Sequence, residues 1–177
     1  MKKILHLSVA VVLMSAIVSL SSCSKPLVAD YTVADIPMCM SAATLGLHYQ
    51  YITYTINHND IVTALNSAGA KDITRVTSMS LKQMNAQVTT AGGNLDQIAN
   101  VEVYFKTTNT PNDSIQIAYS STMNAGDTQN VLQLNGGDLK AALSYDPIIT
   151  FKVITKITGN TTCLKLTGGI IEMNIRN

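Results

Sequence analysis

The feature that most restricts the fold of this chain is a recurring alternation of large hydrophobic residues with polar ones in short segments. Every second side chain is a large hydrophobe in residues 149–153 and again in residues 171–175. Residues 50–56, 101–105 and 115–119 show the same period of two. Because successive side chains of a β-strand point to opposite faces, this period predicts strands with one buried and one solvated face.

Turn-forming residues separate these segments at regular intervals, and two stretches have helical signatures instead. Asp60 precedes an apolar run that stops near Gly69, and Asp138 precedes a second short run, where its carboxylate is expected to cap the first turn. The sequence therefore predicts an all-β protein, a β-sandwich of immunoglobulin-like or jelly-roll-like type, with about eight strands and two short connecting helices.

Several local expectations accompany this architecture. Pro37 restricts a first strand over residues 35–40 to a sheet edge or a strand start. A bulge or bend is expected near Ser78, where the two-residue period is lost. Turns are predicted at residues 109–113, 158–161 and 167–169.

The first residues form a segment of a different kind. Lys2 and Lys3 precede an apolar run over residues 4–20, which ends in Leu20-Ser21-Ser22-Cys23. This order of charge, hydrophobe, small residues and Cys resembles a bacterial lipoprotein signal peptide with its lipobox. The run is shorter than the roughly 20 apolar residues of a membrane-spanning helix, and it contains one His and several Ser. The resemblance implies cleavage before Cys23 and acylation of that residue.

The same resemblance predicts the organisation and the location of the mature protein. Residues 1–22 are the signal peptide, residues 23–34 a lipidated tether, and residues 35–177 a single sandwich domain. Ser24 stands where many Gram-negative lipoproteins carry the Asp that retains them at the inner membrane, which implies an outer-membrane anchor. No acidic run follows Cys23, and this favours the periplasmic leaflet over the cell surface.

Charge and cysteine content narrow the classes of protein further. Lys plus Arg number 12 and Asp plus Glu number 11, so no basic surface for nucleic acid is expected. With Cys23 assigned to lipid, Cys39 and Cys163 are the remaining thiols. The oxidising envelope permits a disulfide between them, and two separate buried thiols are the alternative.

No motif in the chain predicts catalysis, a metal site or a cofactor. His48 and His58 lie at the two ends of one predicted strand, roughly 30 Å apart at full strand rise, and no Cys or His spacing suits zinc. Glu102 and Glu172 each lie in a strand between hydrophobes, as side chains on the solvent face of a sandwich do. Asp113 and Asp127 have the neighbours of turn residues.

Two tyrosines are the best candidates for ligand contact. Tyr49 and Tyr51 lie on the polar face of one predicted strand, where their rings could stack on a sugar or contact a protein. The triplet that begins at Asp113 resembles the O-glycosylation acceptor of certain Gram-negative anaerobes and implicates Ser114. The block over residues 94–104 and the later helix at residues 138–140 resemble small β-sandwich lipoproteins of Gram-negative bacteria, and this resemblance implies a fold without an activity.

Three functions are consistent with these observations. The first is a non-catalytic, lipid-anchored envelope module that binds a protein partner through a sheet edge or a loop end. The second is a surface glycan-binding or adhesin subunit that uses Tyr49 and Tyr51. The third is a hydrolase, which requires Glu102 or an Asp in a cleft with a raised pKa.

Overall fold

A computed structural model describes residues 27–40, 47–120, 122–156 and 162–176 of the chain. In these residues the chain forms ten strands, one α-helix and three short 3-10 helices. The strands are β1 (Leu27–Val33), β2 (Ile36–Met40), β3 (Leu47–Thr55), β4 (Val76–Val88), β5 (Ile98–Thr107), β6 (Thr110–Tyr119), β7 (Gln129–Val131), β8 (Gln133–Leu134), β9 (Pro147–Lys156) and β10 (Thr162–Ile175). The helix α1 is His58–Ser67, and the 3-10 helices are Ile73–Arg75, Leu95–Gln97 and Lys140–Leu143.

The strands form two antiparallel sheets that pack face to face. Sheet A has the order β1-β10-β4-β7, with β2 also paired to β10, and sheet B has the order β3-β9-β5-β6-β8. The alternate large side chains of both sheets meet in one hydrophobic core that includes Phe151, Ile36 and Met79. The predicted all-β sandwich is therefore confirmed, with ten strands in the described residues where the sequence predicted about eight.

One corner of the sandwich is formed by two short strands. β7 pairs with β4 in sheet A and β8 pairs with β6 in sheet B, so the chain crosses between the sheets at Leu132. The Leu132 side chain is buried in the core, and its backbone N–H donates to Met84 O at 3.1 Å. The crossing is not recognisable from the sequence of residues 131–134, because Leu132 itself carries no turn signal.

The folded domain begins earlier than the sequence predicted. Residues 27–33 form β1, which is paired with β10 from Leu27 opposite Ile175 to Val33 opposite Gly169. Ala29 and Val33 reach the core. The interpretation of residues 23–34 as a tether is therefore wrong from Leu27 onward. Val28, a hydrophobe on the exposed face of the strand, hides the alternation in the sequence.

A second correction concerns residues 167–169, where the sequence predicted a turn. β10 runs through them without reversing, and the extra residues form a bulge against β4. Gly168 takes a φ of 62°, and a Cβ on Gly169 would lie 2.9 Å from Val33 Cβ. The glycines therefore produce a bulge within the single long strand β10, and the missing Cβ of Gly169 allows Val33 of β1 to pack close to it.

Other local predictions have mixed outcomes. β4 has the predicted irregularity, since Val76 and Ser78 face consecutive residues of β10. The helix α1 forms, but its N-cap is Asn57 and not Asp60. The second predicted helix is a four-residue 3-10 helix, in which Lys140 N–H donates to Asp138 Oδ1 at 2.9 Å.

A further predicted turn differs from the structure in position. The turn between β5 and β6 is tighter than residues 109–113, since β6 starts at Thr110. The turn predicted at residues 158–161 lies outside the described residues, as does Cys23.

Cys39 and Cys163 are directly opposed on β2 and β10. They are joined in a disulfide across the outer face of sheet A, with an S–S distance of 2.06 Å.

Candidate functional site

The outer face of sheet B brings together side chains from three strands. The register aligns Tyr51 of β3 with Lys152 of β9, and Lys152 with Glu102 of β5. One row further along, Thr53, Thr150 and Tyr104 are aligned in the same order. Because side chains on one face of neighbouring strands lie about 5 Å apart, these two rows form one continuous polar surface.

Glu102 is the centre of a hydrogen-bonded cluster on this surface. Its Oε2 accepts from Lys152 Nζ at 2.7 Å and from Tyr104 OH at 2.7 Å, and its Oε1 accepts from Asn100 Nδ2 at 3.1 Å. Ser120 Oγ in turn donates to Asn100 Oδ1 at 2.6 Å. The Glu102 and Lys152 side chains are only 14% and 18% exposed, so the pair is shielded although it lies on an outer face.

The cluster determines the protonation state of its members. Burial alone raises the pKa of Glu102, but the hydrogen bonds from Lys152 and Tyr104 outweigh it, and the net pKa lies below the ordinary value. The hydrogen bond to Glu102 raises the pKa of Lys152, and the same carboxylate raises the pKa of Tyr104. At neutral pH the site therefore holds a carboxylate, an ammonium and a neutral phenol.

The two tyrosines predicted for ligand contact lie at the border of this cluster. Tyr49 and Tyr51 are 56% and 62% exposed, on the outer face of β3 as the sequence predicted. Lys152 Nζ lies 5.3 Å from the centroid of the Tyr49 ring, which is within the range of a cation–π contact. The Tyr49 ring thus lies beside the Lys152 ammonium, and more than half of the residue stays open to a ligand.

A shallow groove of about 320 Å³ extends from Tyr51 across the face. Ser114, the predicted glycosylation acceptor, is exposed on β6 and lies in the groove wall. Lys106 adds a second ammonium. The lining residues are Tyr51, Tyr104, Lys106, Ser114, Thr150 and Lys152.

The edge of sheet B beside these tyrosines is the second notable feature. Among the described residues β3 pairs only with β9, over nine consecutive residue pairs without a bulge. Ile56 N–H donates to Pro147 O, so the backbone groups of Ile56, and of every second residue before it, point toward β9. Those of Tyr49, Tyr51, Thr53 and Thr55 therefore point away from the sheet.

β3 lacks the devices that usually prevent pairing at an edge. It contains no Asp, Glu, Lys, Arg or Pro. The edge strands of sheet A differ, because β1 carries Asp30, β2 carries Pro37, and β7 has three residues. At the far edge of sheet B, β8 has two residues. A long edge strand without a bulge, a proline, a carboxylate or a Lys or Arg side chain is suited to pairing with another strand.

The other residues considered in the sequence lie elsewhere. Glu172 is on the outer face of sheet A, where Oε2 accepts from Lys82 Nζ at 2.6 Å, so the two glutamates belong to different sheets. Asp113 is exposed on β6, and Asp127 Oδ2 accepts from Asn124 Nδ2 in a separate loop. His58 is the first residue of α1, where its N–H donates to Asp146 Oδ1 at 2.9 Å and its Nδ1 lies 2.9 Å from the same oxygen. The side chain of His48 lies outside the described part.

Sequence reasoning missed the cluster around Glu102. The period of two assigned Glu102, Tyr104 and Lys152 to solvent faces correctly, but it gives no register between β5 and β9, which are far apart in the chain. The available signal was a pair of opposite charges, Glu102 and Lys152, on the polar faces of two predicted strands. They can be recognised as a pair only when the register between the strands is known.

The architecture defines an all-β sandwich protein with a polar, tyrosine-bordered outer face. Comparison with protein-family models, with curated proteins and with solved structures finds no match to the chain. Within residues 27–40, 47–120, 122–156 and 162–176, no group of three or more His, Cys, Asp or Glu side chains is placed to hold a metal. Across the same residues no helix has both the length and the apolar character to cross a bilayer.

Proposed function

We propose that this chain is a lipid-anchored, non-catalytic protein of the cell envelope that binds another protein by accepting a strand at the edge of β3. The observation that carries this proposal is the edge itself, with nine residues in unbroken register, none of them Asp, Glu, Lys, Arg or Pro, and two exposed tyrosines. A partner strand would pair with the outward backbone groups of Tyr51 and Thr53. Backbone pairing of this kind supplies affinity, and contacts with neighbouring side chains supply specificity.

The proposed location follows from the lipobox at Leu20-Ser21-Ser22-Cys23. Acylation of Cys23 would anchor the domain in the outer membrane, with the periplasmic leaflet favoured by the absence of an acidic run after the cysteine. A diacylated or triacylated cysteine buries enough methylenes for durable attachment. The domain then needs no membrane-inserted surface of its own, and sheet B can serve a partner.

The strand-addition proposal is tested by removing one outward N–H without disturbing the ladder to β9. Thr53→Pro removes a donor that points away from the sheet, whereas Thr53→Ala removes the side chain and keeps the donor. A photo-crosslinking residue in place of Tyr51, in cells that export the chain, should give a discrete adduct with one protein. The adduct should persist in Thr53→Ala and disappear in Thr53→Pro.

Two controls test the specificity of the crosslink and the folding of the Thr53→Pro variant. The same crosslinker at Ser78, on the outer face of sheet A, should give no such adduct. Circular dichroism and thermal unfolding should show that Thr53→Pro retains the fold. Equal crosslinking in the folded Thr53→Pro and Thr53→Ala variants would show that the edge of β3 is not paired with a partner.

The location is tested by protease shaving of intact and lysed cells. Protection of the domain until lysis supports the periplasmic leaflet and a partner within the envelope. Cleavage in intact cells would reverse the preferred leaflet and favour the second candidate function. Intact mass of the purified protein checks acylation at Cys23 independently.

The second candidate is glycan binding in the groove beside Tyr51. Exposed rings next to a hydroxyl- and ammonium-lined groove are suited to stacking and hydrogen bonding with sugars. Tyr49→Ala with Tyr51→Ala should abolish glycan binding, and Tyr145→Ala, which removes an exposed tyrosine outside the groove, is the matched control. Glu102 does not fit the general acid of a hydrolase, since its pKa is lowered and not raised as that role requires.

A further inference from the structure

Three cationic side chains converge in one groove at an end of sheet A. Arg75, Lys140 and Arg176 line a groove of about 390 Å³ together with Thr74, Val76 and Thr77. They come from three separate parts of the chain: the 3-10 helix before β4, the 3-10 helix before β9, and the residue after β10. The fold, and not the local sequence, therefore creates this cluster.

A backbone hydrogen bond joins the two arginine residues, and the Arg176 carbonyl also holds the guanidinium of Arg75. Arg75 Nε donates to Arg176 O at 2.8 Å, and Arg176 N–H donates to Arg75 O at 2.9 Å. In the described part of the chain neither arginine, nor Lys140, forms an ion pair with a carboxylate. Lys82, Lys152 and Lys165, by contrast, are each paired with a carboxylate. Among the described residues, the groove thus collects three cations that have no carboxylate within ion-pair distance.

Two carboxylates lie near the groove and limit its charge. Asp72 Oδ1 accepts from Thr74 N–H and Thr74 Oγ1, and Asp138 Oδ1 accepts from Lys140 N–H. Asp72 caps the 3-10 helix Ile73–Arg75, whereas Asp138 lies one residue before the N-cap Leu139 of the 3-10 helix Lys140–Leu143. Both carboxylates keep their negative charge, because these hydrogen bonds come from neutral donors. In the described part of the chain neither carboxylate forms an ion pair with Arg75, Lys140 or Arg176, and three cations against two carboxylates leave an excess of one positive charge for an anion from outside.

The groove lies at the end of the molecule where the chain enters the fold. Leu27, Ile175 and Val76 are cross-strand neighbours on β1, β10 and β4, next to Arg176 and Arg75. Only residues 24–26 separate Cys23 from Leu27, so a fully extended link spans at most about 14 Å. A lipid anchor on Cys23 would hold this end of sheet A against the bilayer.

The geometry points to this groove as a binding site for the phosphate groups of anionic lipids, by which the domain is oriented on the membrane. This inference rests on the proposed acylation of Cys23. The lipid anchor attaches the domain to the membrane, and Arg75, Lys140 and Arg176 orient it. These cations are attracted to the anionic membrane surface only when their end of the sandwich faces it. Guanidinium groups bind phosphate oxygens in a bidentate manner and are suited to this task. The edge of β3 then has a fixed orientation relative to the bilayer.

The test uses the mature chain with Cys23→Ser, which contains every described strand and has no acyl chains. Its binding to vesicles of phosphatidylcholine with phosphatidylglycerol is compared with its binding to phosphatidylcholine alone. We expect binding to the anionic vesicles only, and weaker binding at higher salt. Arg75→Gln with Arg176→Gln should lower the binding constant about thirtyfold, because each cation near an anionic surface contributes a factor of about five.

A charge-matched control separates the groove from net charge. Lys82→Gln with Lys165→Gln removes two cations from the outer face of sheet A and should leave vesicle binding within about twofold of the parent chain. Thermal unfolding of both double variants checks that each is folded. Equal loss of binding in the two variants would overturn the site and show a net-charge effect only.

Further outcomes separate this inference from the function on which it rests. Absence of vesicle binding by the parent chain overturns the inference even where intact mass shows an acylated Cys23. An unacylated Cys23 in the exported protein overturns the anchor, and with it the orienting role of the groove. Saturable binding of inorganic phosphate without binding to anionic vesicles would assign the groove to a free phosphate compound and overturn the lipid assignment.

Discussion

At the scale of single residues, Glu102 and Glu172 show what a sequence pattern can and cannot provide. Both were predicted to lie on solvent faces of strands, and both do. Their surroundings differ because Glu102 meets Lys152, Tyr104 and Asn100, whereas Glu172 meets a half-exposed Lys82. These neighbours come from other strands, so no local pattern could have distinguished the two residues.

The shielded pair should contribute more stability than the exposed one. Glu102→Gln leaves the ammonium of Lys152 without its carboxylate in a site that is 18% exposed, and we expect a loss of about 1 to 3 kcal/mol in the free energy of unfolding. Glu172→Gln, the matched control, should cost about 0.5 kcal/mol or less, since Lys82 is 51% exposed. Urea denaturation of both variants measures the difference, and equal losses would contradict the assigned shielding.

The same pair predicts how stability depends on pH. The pKa of Glu102 is lowered in the folded chain, so its contribution is present above the ordinary pKa of 4.5 and is lost as the pH falls through the folded value. The pKa of Lys152 is raised, so its contribution is present below the ordinary pKa of 10.5 and is lost as the pH rises through the folded value. Glu102→Gln should therefore flatten the acid limb of a stability profile measured by urea denaturation, and an unchanged acid limb would contradict this origin.

At the scale of elements, period-two segments were found reliably and their partners were not. The strand at residues 50–56 was predicted with its correct faces, yet its place at the edge beside β9 depends on a contact between distant segments. β1 was missed because Val28 is a hydrophobe on the exposed face and Ala29 is only a small residue on the buried face. β10 was divided because Gly168 and Gly169 are turn residues in most contexts. In both cases the neighbouring strand decides the conformation.

The start of α1 offers a direct comparison between the predicted cap and the observed one. Asn57 Oδ1 accepts from Asn59 N–H at 2.9 Å, whereas Asp60 lies in the first turn. Asn57→Ala should therefore cost about 1 kcal/mol in the free energy of unfolding. Asp60→Asn should cost about 0.5 kcal/mol or less, through its interaction with the helix dipole. Thermal unfolding of the two variants tests the order, and a larger effect at Asp60 would restore the cap that the sequence suggested.

At the scale of the whole molecule, the sandwich is closed by contacts between the two ends of the chain. β1 and β2 both pair with β10, so the first and last described strands form the same side of sheet A. The class of fold follows from alternation alone, but this closure does not, because it joins residues more than a hundred positions apart. The candidate site has the same origin, since β3, β9 and β5 become neighbours only in the assembled sheet.

The disulfide ties these two ends and should be a major contributor to stability. Cys39 and Cys163 are separated by 124 positions, so the crosslink removes a large loop entropy from the unfolded chain, about 4 to 5 kcal/mol in the chain-entropy model. Cys39 is exposed on the outer face of sheet A, so a reductant can reach it without prior unfolding. We therefore expect a phosphine reductant to lower the free energy of unfolding by about 2 to 5 kcal/mol.

Cys39→Ala with Cys163→Ala supplies the control for this prediction. The double variant should match the reduced parent chain in urea denaturation and should not respond to the reductant, because no crosslink remains to be broken. Alkylation and intact mass before and after reduction count the thiols directly. Two alkylated thiols in the parent chain without reduction, or a parent chain whose stability is the same with and without reductant, would show that the ends of sheet A are held by strand pairing alone.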